Sequence, residues 1–508
     1  LASTTFTDFT TPVVAAWLND VNLVAYTTVP ANTAAIAAET TRAEAAEALL
    51  APKASPTFTG TVVVPTAGAG STSPIQAAQL SASSGSSLVE FLQSGTGAVA
   101  VTVQSKLRES LRVLDFGAYP TRVTDSTAAF NAAQVAATAA HTSVFIPGTT
   151  AFYLIAGTIT VTTSMTGVGT YSVLRASSAT ADVIQISATT TNTCVLSNFR
   201  IDSTAADVRT GGYFINNLGA AYVDLINLRL FSYWNGIALT GAATTRFHIL
   251  NCYLTTAARS NNRPGGYGIT VQNSSAGGGV DIEITDTNID GTVSTTSHTT
   301  AAIYLVTVGG CAISNCNIQL AGIALLVAPD AGHRIQALFI DNSYFDSGTG
   351  HGISLSPVST GIINLVKITS CWCATNTGSG IMVGENATGQ VQRVEIINCT
   401  CSNNTVNGIT LNGATVTNTS IIGGSMSHNV NGISVADATG RFSISGVKAG
   451  AAGEFATNTS YGLSLNGTLA SFMVMNNDFS LNTSGAILAA TYTGTEGTNY
   501  FLRDNLLV

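Results

Sequence analysis

Ile396-Ile397-Asn398-Cys399-Thr400-Cys401, followed at once by a second signature, Asn407-Gly408-Ile409, is the stretch that decides the fold. Both halves recur. The glycine half returns at Asn235-Gly236-Ile237, Tyr267-Gly268-Ile269, Ala321-Gly322-Ile323, His351-Gly352-Ile353, Ser379-Gly380-Ile381, Asn431-Gly432-Ile433 and Tyr461-Gly462-Leu463. Successive glycines stand roughly 24–32 residues apart, with one double gap that Ala302-Ile303 divides. The asparagine half returns as Ile249-Leu250-Asn251-Cys252-Tyr253-Leu254, Ile313-Ser314-Asn315-Cys316-Asn317-Ile318, Ile340-Asp341-Asn342-Ser343-Tyr344-Phe345 and Ile368-Thr369-Ser370-Cys371-Trp372-Cys373. A period of this length with two or three short strands, each turning at Asn or Gly, describes a coil of a solenoid. Asn suits the turn because it tolerates a left-handed backbone, and its amide can bond the Asn one coil away. About ten coils fit between Val161 and Leu488. The expected fold is all-β, a right-handed single-stranded parallel β-helix.

Composition agrees and narrows the function. The chain has 508 residues, of which 45% are hydrophobic and only 9% charged, against about 25% charged in typical domains. Its 49 glycines argue against a mainly helical protein. A net charge of −8 argues against nucleic-acid or anionic-membrane partners. Thr, Ser, Asn or Gly interrupts every apolar run before it is long enough to span a bilayer, so no membrane insertion is expected.

Before the repeats lie two other zones. Ile36 to Leu50 is rich in Ala and Glu, a thin helix that needs partners, as in an oligomeric stalk, and Pro52 and Pro56 end it. From Thr57 to Val103 the pattern reads as short strands at Thr61–Val64, Ser71–Gln79, Leu88–Leu92 and Ala98–Val103. The expected division is therefore a helical stalk and attachment segment (1–50), a connector or attachment module (51–105), the β-helix with a capping helix at its start (106–490) and a C-terminal cap (491–508).

Asp115-Phe116-Gly117-Ala118, then Thr124-Asp125-Ser126-Thr127 and a helical run to about Ala140, resembles the opening of pectate-lyase-like β-helix domains. The departure is at Pro120-Thr121-Arg122, where that family carries Gly-Asp-Gly, and at Ser126, where it carries a second Asp. Gly85 to Glu109 is similar to the linker that precedes such domains in bacteriophage tailspikes. Ala51 to Gly60 is similar to a repeat of phage tail fibres, and Trp17-Leu18-Asn19-Asp20-Val21-Asn22 to the virion-attachment start of short-tailed phage spikes. The resemblance implies a homotrimeric spike, made in the host cytoplasm and carried on the virion tail. It implies contact with tail or adaptor proteins through the N-terminal region, and binding and often cleavage of bacterial surface polysaccharide, lipopolysaccharide O-antigen or capsule. A non-enzymatic receptor-binding fibre and a secreted pectinase-like lyase or hydrolase are the alternatives.

Carboxylates are few, so their clustering is informative. Asp281 and Glu283 alternate with Val280, Ile282 and Ile284, which places both outward, roughly 6–7 Å apart. Glycosidases use two carboxylates about 5–9.5 Å apart. Aligning the coils adds Asp290 and Asp346, which share a column with Gln319; Asp286 falls at the Asn-turn position and belongs to the ladder. Catalysis by a pair drawn from Glu283, Asp281, Asp290 and Asp346 is the expectation, with endoglycosidase chemistry and a lyase as the alternative. The residue two after each ladder Asn gives the outward column Arg229, Tyr253, Asn288, Asn317, Tyr344 and Trp372, with Trp234 and Tyr233 near its end. Rings, amides and a guanidinium are groups that stack on and hydrogen-bond sugars; a trimer interface also favours Tyr and Trp. The segments Thr255–Gly266 and Gly291–Thr300 are read as loops walling a groove. Cys371, Cys373, Cys399 and Cys401 superficially resemble zinc ligands, but they recur at one-coil spacing where other coils hold Thr287, Ser343, Ile318 and Phe345. They are read as interior thiols, with no metal and no cofactor expected.

Overall fold

Each coil is three strands joined at corners, and the repeat signatures are those corners. Ile362–Thr369 forms one face, Ser370 turns, Trp372–Ala374 forms a second, Ile381–Val383 forms a third, and Gln390–Ile397 begins the next coil. We call these faces I, II and III. All three are parallel, residue for residue, from coil to coil, as in Ile368↔Ile396, Cys373↔Cys401 and Ile381↔Ile409. Face II is an eleven-stranded sheet. The computed structural model describes residues 29–50 and 81–507 apart from 83–84, 191–192, 204–208, 243–244, 257–264, 273–280, 295–296, 386–387, 414, 437–439, 451–455, 470, 489–490, 493–494 and 498.

Face II is short because left-handed residues bound it on both sides. Before it stand Asn198, Asn227, Asn251, Asp286, Asn315, Asn342, Ser370 and Asn398, with φ of 47–58°; after it stand Ser232, Leu320, Ser347, Thr375, Asn403 and His428, with φ of 55–58°. Asn dominates the first corner because its short polar side chain lowers the cost of that conformation. The amides also bond along the stack: Asn251 Nδ2 donates to Asn227 Oδ1 at 2.6 Å, and Asn342 Nδ2 to Asn315 Oδ1 at 2.8 Å. The Gly-Ile signature opens face III, where coils touch through their backbones. A Cβ on Gly380 would lie 2.8 Å from the Gly408 carbonyl oxygen, and one on Gly408 would lie 2.5 Å from that of Gly432.

Alternation fills the core. Leu230, Leu254, Ile289, Ile318, Phe345, Cys373 and Cys401 form the inner column of face II and are buried. At the N-terminal end the helix Thr127–Ala139 closes the stack, with Phe130 edge-on to Tyr153 at 5.6 Å. Asp125 caps it, accepting from the Thr127 amide (3.0 Å) and hydroxyl (2.6 Å) and from the Ala156 amide (3.0 Å). Burial opposes charge there, but these hydrogen bonds outweigh it and hold the carboxyl below its ordinary value.

All eight cysteines are buried thiols. Burial pushes Cys316 up to about 11, and Cys194 and Cys252 up to about 12, from 9.0. A thiol held protonated in the fold but free to ionise when unfolded stabilises the fold fully below pH 9, and this contribution is lost as pH rises toward 12. Urea midpoints are therefore expected to hold steady up to pH 8.5 and to fall at pH 10–11, together with the onset of labelling by iodoacetamide. Labelling of the native protein at pH 8 would contradict this burial.

The chain divides into Leu1–Leu107 and Arg108–Val508. In the first unit, Val29–Leu50 is one helix whose residues 31–46 are exposed, with Arg42 paired to Glu39. The expected strands at Leu88–Leu92 and Ala98–Val103 are shorter than the pattern suggests. Glu90–Phe91 pairs antiparallel with Val101–Thr102, Gly85–Leu88 is a 3-10 turn, and Val103–Leu107 is helical. Residues 11–28, Thr61–Val64, Ser71–Gln79 and the stretches likened to phage attachment segments lie outside the described residues. No described helix is long and apolar enough to cross a membrane.

Candidate functional site

The outward column of face II is continuous. Register pairs run Arg200↔Arg229, Arg229↔Tyr253, Tyr253↔Asn288, Asn288↔Asn317, Asn317↔Tyr344 and Tyr344↔Trp372. With rungs about 4.8 Å apart, Arg229 to Trp372 spans about 24 Å. Arg229, Asn288, Asn317 and Tyr344 are exposed, and Tyr253 and Trp372 half-buried. Trp234 is half-buried beside the Gly236 corner. Tyr233, expected with it, is fully buried and packs edge-on against Phe214 at 6.5 Å, because the corner turns its side chain into the core.

Two residues along each strand runs a second registered column, Arg175, Asp202, Phe231, Thr255, Asp290, Gln319, Asp346 and Ala374, in which Asp202, Thr255 and Ala374 are buried. Asp290 and Asp346 are half-buried there, two rungs apart. Two spacings are about 9.6 Å, close to the upper end of the separation of about 6.5–9.5 Å in inverting glycosidases. Asp346 accepts from the Ser347 hydroxyl at 3.2 Å.

Asp281 and Glu283 do not join this group. Both are exposed on face I, on the strand Asp281–Thr285, and the left-handed Asp286 corner lies between them and face II. Glu283 has other company. His248 Nε2 lies 3.5 Å from its Oε2, His248 Nδ1 lies 3.4 Å from Asp224 Oδ1, and Arg246 Nη2 donates to both Asp224 oxygens at 3.0 and 2.9 Å. The Thr285 hydroxyl donates to Glu283 Oε1 at 3.3 Å. The four candidate carboxylates are thus two pairs on two faces. Within Gly291–Thr300, Thr292–Ser294 pairs antiparallel with the start of Ser297–Ser314. Most of Thr255–Gly266 lies outside the described residues.

Sequence reasoning missed the N-terminal end of face II. Arg175 holds Asp202 with two hydrogen bonds, at 2.6 and 2.9 Å, and Arg200 adds a third contact at 2.8 Å. The Arg175 guanidinium lies 4.0 Å over the Phe152 ring and that of Arg200 4.4 Å over Phe231. The signal was present, since Arg200 stands two after the ladder residue Asn198. A second pair, on face III, also went unread: His351 Nδ1 accepts the Ser379 amide at 2.8 Å, which leaves Nε2 to donate to Glu385 at 3.0 Å. Among the described residues no group of three or more His, Cys, Asp or Glu is placed to hold a metal ion.

Comparison with known proteins agrees with this architecture. Residues 110–324 match the family model described as rhamnogalacturonase A/epimerase, pectate lyase-like. A tailspike double mutant of Escherichia coli bacteriophage HK620 superposes with a TM-score of 0.55 at 12% identity, covering 83% of this chain and 85% of that one. Another HK620 tailspike mutant, in complex with a pentasaccharide, gives 0.54 at 11% identity over the same shares. Tailspike protein 3 of bacteriophage CBA120 gives 0.47 at 12% identity, covering 84% and 67%. At such identity the likeness is one of fold: a pectate-lyase-like parallel β-helix of the kind found in phage tailspikes. No curated protein matches the chain by sequence.

Proposed function

We propose that this chain is a phage tailspike that binds a bacterial surface polysaccharide, O-antigen or capsule, along face II and cleaves it there. The observation that carries this reading is the unbroken outward column from Arg229 to Trp372, with Asp290 and Asp346 on the column beside it. An open strip of rings, amides and a guanidinium suits a polymer that enters and leaves sideways, in contrast to a closed pocket for one small molecule. The HK620 spike, a complex with a pentasaccharide on the same fold, supports that choice. In this reading Asp346 and Asp290 act as general acid and base on opposite sides of the scissile bond, with water between them. Residues 1–105 seat the spike in the virion through tail or adaptor proteins, and three copies associate. The Ala-rich helix Val29–Leu50, exposed over residues 31–46, favours an oligomer, since so thin a helix has little stability alone. Catalysis on face I is the second reading, favoured by the histidine that links Glu283 to Asp224.

Mass spectrometry of a panel of O-antigens and capsules after incubation with the protein tests the reaction. Fragments heavier by water report hydrolysis, unsaturated ends report elimination, and an intact but retained polymer reports a binding-only fibre. Tyr344→Ala and Trp372→Ala test the surface. Each is expected to weaken glycan binding by about 1–3 kcal/mol, by analogy with bases stacked on aromatic rings, while light scattering still gives a trimer. A monomeric wild-type mass would end the trimer proposal, and loss of trimer in Trp372→Ala would show that the strip is an interface between subunits.

A further inference from the structure

Face II is electrostatically uneven. Its N-terminal rungs hold Arg175, Arg200 and Arg229, and Arg122 shares the Phe152 ring with Arg175, at 5.9 Å. The carboxylates there are Asp202, 3% exposed and held between Arg175 and Arg200, and Asp125, whose Oδ1 accepts from the Thr127 amide and hydroxyl and from the Ala156 amide. Four cations against two anions leave a net positive end on a chain of net charge −8. Two of these cations oppose each other. Arg200 and Arg229 are register partners on adjacent rungs of one outward column, a like-charge pair that costs stability. Asp202 serves Arg200, but among the described residues Arg229 has no carboxylate partner, and its guanidinium lies 5.9 Å from the Tyr253 ring.

Resting on the reading of face II as the glycan surface, we infer that its N-terminal end binds an acidic sugar residue, with Arg200 and Arg229 holding the anion between them. A guanidinium pair on neighbouring rungs offers parallel N–H donors to a carboxylate or phosphate oxygen pair, and charge-assisted bonds of this type are the strong ones. The adjoining rings of Phe231 and Tyr253 supply the apolar surface for the sugar carrying the charge. The polymer is therefore an acidic polysaccharide, its negative groups uronate or phosphate, lying with an acidic unit toward Arg229 and a neutral stretch over Asn288 to Trp372.

The intact chain is tested on an array of bacterial polysaccharides in three sets: neutral, uronate-bearing and phosphodiester-bearing. Retention of an acidic set is expected, weakening as salt is raised, and the set retained identifies the anion. Arg229→Gln and Arg200→Gln are each expected to lower that affinity by about tenfold or more, and Arg229→Lys to restore part of it. Retention of neutral polymers alone, or an acidic polymer held equally well by both Gln variants with unchanged melting, would overturn the inference. Tyr344→Ala separates the two levels. If it weakens binding of a neutral polymer, face II remains the glycan surface and only the acidic assignment falls. If no polymer is retained, the glycan reading itself falls, and this inference with it.

Discussion

Asp290→Asn and Asp346→Asn are each expected to slow polysaccharide cleavage by about 10²–10⁴-fold, the usual contribution of a positioned general acid or base. The amide keeps the shape of the carboxyl but neither gives nor takes a proton at working pH, so glycan binding and the mass in solution stay as in the wild type. Reducing-end release measures the rate. NMR of the first product measures the anomer, which should be inverted, because a pair two rungs apart leaves room for water between the carboxyls. Glu283→Gln and Asp281→Asn serve as the contrast: both lie on face I, beyond the Asp286 corner, and should leave turnover within about twofold, as exposed substitutions usually do. The reverse pattern, with Glu283→Gln inactive and the face II variants active, would move catalysis to the Asp224–His248–Glu283 array. Full activity in all four would remove carboxylate catalysis by these residues altogether.

The largest stability effect is expected from Asn404, inside the corner that follows face II. Asn376, Asn404, Asn429, Asn458 and Asn482 stack with their carboxamides bonded in sequence, at 3.0, 3.0, 3.3 and 2.8 Å. Asn404 also donates to the Cys373 carbonyl at 3.0 Å and accepts the Asn376 backbone amide at 3.1 Å. Asn404→Leu strands that amide and that carbonyl in the interior, and it takes one bond from each neighbouring carboxamide, leaving Asn376 its bond to the Phe345 carbonyl (3.1 Å) and Asn429 its bond from the backbone amide of residue 404 (3.0 Å). At about 1–3 kcal/mol for each buried unsatisfied group, the two stranded groups should cost about 2–6 kcal/mol, read as a lowered urea midpoint. Asn404→Asp is informative in another way. The buried carboxyl would have its folded pKa raised above the unfolded value of about 3.9, so the damage is greatest at neutral pH and eases as pH falls and the acid regains a proton to donate. A loss under about 1 kcal/mol in Asn404→Leu would show that the ladder is not a main support of these coils.

Legibility differed sharply between the two columns of corner residues. The ladder from Asn251 to Asn398 was readable because each member sits at a fixed offset from an apolar strand and is followed by a small residue. The Asn376–Asn482 stack was not, since the offset from face II to the residue that enters the core is visible only once the second left-handed corner is known. Arg200 was within reach of the rule that found Arg229. Two rungs of Asx turns with different following residues, Asn198-Phe199 and Asn251-Cys252, concealed the equivalence.

Local chemistry carries far in a solenoid. Period, alternation and turn residues each act within one coil, and stacking only repeats them, so the sequence alone determined the parallel β-helix, its capping helix, the buried thiols and the registered column from Arg229 to Trp372. It also determined which carboxylates point outward. Which outward residues face the same way was decided only by tertiary structure. A single left-handed residue, Asp286, separates Glu283 from Asp290, and the angle of that corner sends two neighbours in sequence to two different faces. The same corners gathered Arg175, Asp202, Arg200 and Phe231 from three coils into one patch, because registry brings residues some 30 positions apart to within one rung, about 4.8 Å, of each other.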